Sequence, residues 1–176
     1  MARNGIELMK TTIISTVFLL SVTLVGCSKK SSPPGSRLSA GPPVAHAVLA
    51  AWQQGDRSGA ISNFVQTDWR NRPLFASSYV LSLTEDQYKA LSNSEREARS
   101  REITSQISSL KQLAQAVMQA GRDAAAKGDT AQARKYFTSL QDFGAAVGGS
   151  DSMLIVQLVG KAIRKMGDTE LAKVQQ

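Results

Sequence analysis

Lys127-Gly128-Asp129-Thr130-Ala131-Gln132-Ala133-Arg134-Lys135-Tyr136-Phe137 is the stretch that decides how this chain folds. Glycine can take the left-handed conformation that ends one helix, and the aspartate after it can cap the start of the next. Ala133, five residues past the glycine, falls inside the second helix, where a small side chain lets the first helix pack closely. Phe137, four residues further on, shares that face and is placed to fill the groove between the two. The segment therefore predicts a helical hairpin. Gln54-Gly55-Asp56, followed by Ala60 and Phe64, repeats the pattern, and Met166-Gly167-Asp168, followed by Ala172, predicts a third junction. From residue 44 onward alanine, glutamine, leucine and charged residues dominate and no strand-like alternation persists, so the expected fold is all-α.

These offsets resemble the helix junction of the tetratricopeptide repeat, which carries Gly-Asp, then a small residue, then Phe or Tyr. The resemblance extends backwards: Gly121 and Gly160 stand seven residues before Gly128 and Gly167, and Ala51, Ala124 and Ile163 fall on the next packing position. Pro73 lies near the family's closing proline. Departures are substantial. The junction glycines are 73 and then 39 residues apart, whereas a regular array repeats about every 34. Val48 stands where the first unit should have a glycine, the third unit is truncated, and the early tryptophan and tyrosine are missing. What the resemblance implies is a small, irregular tetratricopeptide-like bundle of helical hairpins.

One long central helix is expected between the first two junctions. Arg70-Asn71-Arg72-Pro73 should break the helix begun near Asp56, and residues 74–83 are ambiguous, with Pro73 able to start a short helix. Thr84-Glu85-Asp86-Gln87 fits a capping box that opens a short helix, and Ser94-Glu95-Arg96-Glu97 fits a second. From there Ile103, Ile107, Leu110, Ala114, Val117, Gly121 and Ala124 form one apolar stripe. A helix reaching Lys127 would have about 33 residues and span roughly 50 Å.

The N-terminal region has a different character. Arg3 and Lys10 precede an uncharged, largely apolar run over residues 11–25, which ends in Leu24-Val25-Gly26-Cys27. A charged start, an apolar centre and small residues at the end make an export signal. The 15 uncharged residues fall short of the roughly 20 that a spanning helix needs. Leu24-Val25-Gly26-Cys27 resembles the lipobox of bacterial lipoproteins. That resemblance implies a signal peptide over 1–26, with Leu24, Val25 and Gly26 read by the signal peptidase, and acylation of Cys27. Cys27 is the only cysteine, so it has no intrachain disulfide partner. Residues 28–43 are rich in Ser, Pro and Gly and cannot bury enough surface to offset their ordering entropy, which predicts a tether. Ser28 after the cysteine implies, by the same resemblance, the outer membrane facing the periplasm. The helical domain is then expected over 44–176.

The whole chain carries 21 basic and 14 acidic residues. Loss of residues 1–26 removes two bases and one acid and leaves a net charge of +6. The basic residues are scattered among acids, and an exported chain is not expected to meet nucleic acid. No constellation for catalysis is legible. His46 is the only histidine, no Gly-x-Ser-x-Gly elbow surrounds a serine, and none of the three Gly-Asp pairs is followed by the Lys-Ser or Lys-Thr of a phosphate loop. Glu85, Asp86, Glu95 and Glu97 read as first-turn helix acids. Neither a cofactor nor a metal is expected. Trp52 reads as core. Trp69, Arg70 and Arg72 join an aromatic to two cations where a helix ends, and are the candidate partner contact, against a reading in which Trp69 covers a hydrophobic joint. The expectation is a non-enzymatic, membrane-anchored envelope lipoprotein that binds or scaffolds another protein. The alternative is a binder of an envelope ligand such as lipid, glycan or peptidoglycan.

Overall fold

Asp56 and Asp129 begin their helices as the sequence demands. Each follows a glycine with positive φ, 91° at Gly55 and 81° at Gly128, and each side chain accepts a hydrogen bond from a backbone N–H three residues on, that of Gly59 and that of Gln132. The computed structural model describes residues 44–71 and 74–174. The expected signal peptide, Leu24, Val25, Gly26, Cys27 and the tether lie outside the described residues, as do Arg72 and Pro73. Among the described residues six helices form one compact unit: α1 (Val44–Gln53), α2 (Arg57–Gln66), α3 (Glu85–Ala90), α4 (Asn93–Ala126), α5 (Thr130–Gly148) and α6 (Leu154–Val174). A 3-10 turn at Val80–Ser82 precedes α3, and no strand occurs among the described residues.

α4 is the long central helix, 34 residues in length. Its buried side carries Ile103, Leu110, Leu113, Ala114, Val117 and Gly121, so Leu113 joins the expected stripe. The helix starts two residues before the expected box. Ser92, not Ser94, is the N-cap: its Oγ accepts from the Glu95 N–H, and Glu95 Oε2 accepts from the Ser92 N–H. Ser92 and Glu95 have the same three-residue offset, and the extended backbone at Leu91 sets the start there. Residues 74–79 form no helix.

The α1–α2 hairpin packs against α4, which forms the second hairpin with α5 and also touches α6. Ala60 and Ala133 are fully buried, and Phe64 and Phe137 nearly so. Burying a side chain of that size contributes roughly 1.5–3 kcal/mol. Phe64, Trp69 and Phe143 form a ring cluster, with centroids 4.7 to 5.0 Å apart, where α2 meets α5.

The expected third junction does not exist. α6 runs unbroken through Met166-Gly167-Asp168. Gly167 faces α5, where a β-carbon would stand 2.8 Å from both Phe137 O and Gln141 N. Asp168 does not cap; its Oδ1 accepts from Gln141 Nε2 at 2.6 Å. Gly160 serves the same approach, because a β-carbon there would meet Gly148 N at 2.4 Å. These glycines let α5 and α6 pack backbone against backbone as an antiparallel pair.

Candidate functional site

The start of α6 is pinned to the start of α3. Thr84 and Gln87 make the expected capping box. Directly before it, the Leu83 carbonyl accepts from the Met153 N–H at 2.9 Å. Glu85 Oε1 accepts from the Leu154 N–H at 3.0 Å, placing a carboxylate at the positive end of α6. Met153 turns inward and is buried, while Leu154, Ile155 and Leu158 stay 55%, 50% and 49% exposed. They are the large apolar side chains that the described residues leave in water.

Beside them runs an apolar trough. Its upper part, about 460 Å³, is lined by Tyr88, Ile103, Ile107, Met153, Leu154 and Leu158, with the hydroxyls of Ser100 and Thr104 on the α4 side. A lower part of about 250 Å³ continues between α4 and α6 past Leu158, along Lys111, Ala114, Val159, Ile163 and Met166. Glu85 is the only carboxylate among these lining residues, and it is already engaged by the Leu154 N–H. An exposed apolar surface of this kind marks a site for a protein, a membrane or a ligand.

The opposite end of α6 is held by charge. Glu170 is 5% exposed, and its Oε1 accepts from Arg122 at 2.6 Å and from Lys173 at 2.8 Å. The Arg122 hydrogen bond, aided by Lys173, overcomes burial and holds the Glu170 carboxyl down at about 2. Tyr79 is fixed between the His46 and Phe75 rings and donates to Gln106 Oε1 at 2.6 Å. Burial first, and then Glu102, pushes its hydroxyl up to about 12. Both groups are structural bolts: one ties α6 to α4, the other the 74–79 segment to α4.

The contact surface expected at Trp69, Arg70 and Arg72 is corrected at its aromatic member. Trp69 is 3% exposed, and its indole N–H donates to Phe64 O at 2.9 Å and Ser139 Oγ at 3.2 Å. The ring closes the joint between α2 and α5 and is not offered to a partner. Arg70 is exposed but paired with Asp142 at 2.7 Å, which raises its pKa. Trp52 is buried as expected, with the Arg57 guanidinium 3.8 Å from its ring centre. His46 is exposed on α1. Among the described residues, no three His, Cys, Asp or Glu side chains gather as metal ligands would.

Leu154, Ile155 and Leu158 were not singled out by the sequence reading. A signal was present: Leu154-Ile155-Val156-Gln157-Leu158-Val159 is apolar around most of the helix, more than one buried stripe requires. No helix among the described residues is long and apolar enough to cross a membrane. Compared with protein-family models, curated proteins and solved structures, the chain matches none.

Proposed function

We propose that this chain is a bacterial envelope lipoprotein, anchored through an acylated Cys27 in the outer membrane and facing the periplasm. Its helical domain is a non-enzymatic, tetratricopeptide-like module that binds a protein partner. The observation that carries the binding role is the trio Leu154, Ile155 and Leu158, about half exposed beside the apolar trough between α4 and α6. Leaving these three aliphatic side chains half in water forgoes about half of the roughly 1.5–3 kcal/mol that full burial of each would contribute. A covering partner recovers that energy. The repeat-like reading is supported by the α1–α2 hairpin packed against α4, which itself forms the second hairpin with α5, and by α6 added against α4 and α5. Helical stacks of this type commonly present binding surfaces, which is an analogy from fold.

The anchor rests on Leu24-Val25-Gly26-Cys27 and the apolar run before it. Mild crosslinking in native membranes, followed by co-purification, tests the binding role. A discrete protein adduct that disappears with Leu158→Glu supports it. Recovery of glycan or lipid alone favours the ligand-binding alternative. That alternative has a surface of its own: a groove of about 520 Å³ where Ser58, Ser62, Gln66, Gln132 and Lys135 stand beside Ile61, Val65 and Tyr136, a mixed polar and apolar lining.

A further inference from the structure

We infer that the trough between α4 and α6 receives an amphipathic helix with acidic flanks, presented by the protein partner. This rests on the protein-binding reading and specifies the partner's chemistry. Three observations carry it.

The first is shape. From Leu154 to Met166, α6 rises about 18 Å, which matches a partner helix of about 12 residues. Apolar side chains recur in the floor along that length, from Ile103 and Ile107 down to Ala114 and Ile163, with Ser100, Thr104 and Gln115 between them. A helix with apolar side chains at i, i+3, i+4 and i+7 would place a knob row into such a floor. A peptide added as a β-strand would need an unpaired strand edge to hydrogen-bond with, and the described residues include no strand. A bilayer surface could cover the ridge of Leu154 and Leu158 but could not follow the floor between two helices.

The second is charge. Lys111 lines the α4 side of the trough, and Lys165 follows Ala162 by three residues on α6, within one turn of the exposed ridge, whereas the Lys161 side chain runs beside Gly148 on the α5 side. Neither Lys111 nor Lys165 pairs with a carboxylate among the described residues, whereas Arg122, Arg164 and Lys173 on the same two helices are each paired. Two free cations bordering one apolar strip select a partner with acids beside its apolar face, chiefly by steering and by excluding basic competitors.

The third is rigidity. Both ends of α6 are fixed, by Glu85 at Leu154 and by Arg122 at Glu170. The trough is therefore preformed, and binding loses little to ordering of the receptor.

The test uses the protein reconstituted in neutral phosphatidylcholine nanodiscs and a labelled synthetic helix of about 14 residues, leucine on one face and glutamate on both flanks. Three comparisons accompany it: a twin with lysine flanks, a scrambled peptide of the same composition, and nanodiscs containing phosphatidylglycerol. Saturable binding of the acidic helix, with the lysine twin at least about tenfold weaker and binding falling as salt rises, is the expected result. Leu158→Glu should abolish binding with an unchanged melting temperature, since that side chain is half exposed. Lys111→Glu with Lys165→Glu should reverse the preference between the twins. Equal binding of the scrambled peptide, or indifference to Leu158→Glu, would overturn the inference. So would loss of peptide binding in phosphatidylglycerol nanodiscs alone, which would make the face a membrane contact. If neither helix binds while crosslinking from position 158 still captures a protein, the acidic-helix inference fails and the protein-binding reading stands.

Discussion

The ring of Phe137 lies directly against the backbone of Gly121, so closely that a β-carbon on Gly121 would stand 2.5 Å from Phe137 Cε1. Gly121 is seven residues before Gly128, and Phe137 is nine after it. The contact is thus the groove-filling relationship that the Gly-Asp spacing predicts for α4 and α5. Phe137→Ala should destabilise the domain by about 3–5 kcal/mol through loss of a fully buried ring. Gly121→Ala should cost about 1–3 kcal/mol, because the added methyl displaces that ring. Chemical denaturation of both variants checks the pair, and a Phe137→Ala protein as stable as the parent would dismantle the hairpin account.

Two other glycines should respond to alanine for different reasons. At Gly55 a β-carbon meets nothing within 4 Å, and the strain lies in its φ of 91°, which costs about 1 kcal/mol. At Gly144 a β-carbon would meet Arg164 N at 2.3 Å. Backbone cannot step aside as a side chain does, so α5 and α6 must separate. Gly144→Ala should therefore be clearly the more damaging of the two in a thermal melt, and the reverse order would contradict the close packing of α5 on α6.

Much of this arrangement is legible locally, and the exceptions share a cause. Gly55 and Gly128 declare themselves because cap, alanine and phenylalanine all lie within ten residues of the turn. The stripe on α4 is legible for the same reason. Gly167 carries the same Gly-Asp signature, yet it is a packing glycine, because what it faces is the backbone of Phe137 and Gln141. Trp69 is turned inward partly by Ser139, 70 residues away. Such choices are made by elements distant in sequence, and no local pattern encodes them. The trough was missed because an apolar helix reads as core until its neighbours are counted.

The joint at Trp69 separates a structural residue from its neighbour. Trp69→Ala should lower stability by about 3–5 kcal/mol, since it empties the cluster with Phe64 and Phe143 and leaves Ser139 with one partner fewer. Arg70→Ser should leave the melting temperature nearly unchanged, as expected for an exposed ion pair. Differential scanning calorimetry on the two variants checks both halves of that contrast.

Acid should loosen the far end of α6. The Glu170 carboxyl sits at about 2 against an ordinary value of 4.5, so the folded state favours its ionised form. The sign follows: its contribution is fully present above pH 4.5 and is lost as pH falls from 4.5 toward 2. That contribution is on the order of 2 kcal/mol. Glu170→Gln should remove this part of the acid sensitivity, flattening the stability profile across that window relative to the parent. Parallel profiles for the two proteins would mean that the Arg122 and Lys173 pairing does not set the carboxyl.

The anchor has its own test. Cys27→Ala should leave an unprocessed precursor and abolish acyl labelling. Mass spectrometry that found an unmodified mature N-terminus in the parent would remove lipidation from the account.

Site-specific photocrosslinking in native membranes tests the central claim, that the α4–α6 trough binds a protein, most directly. A photoreactive residue placed at Ile155 or Leu158 should yield one discrete protein adduct of the same mass. The same probe at Arg70, on the α5 side of the domain beside Asp142, should yield none. A common adduct at all three positions, or adducts at Ile155 and Leu158 with lipid alone, would contradict the claim.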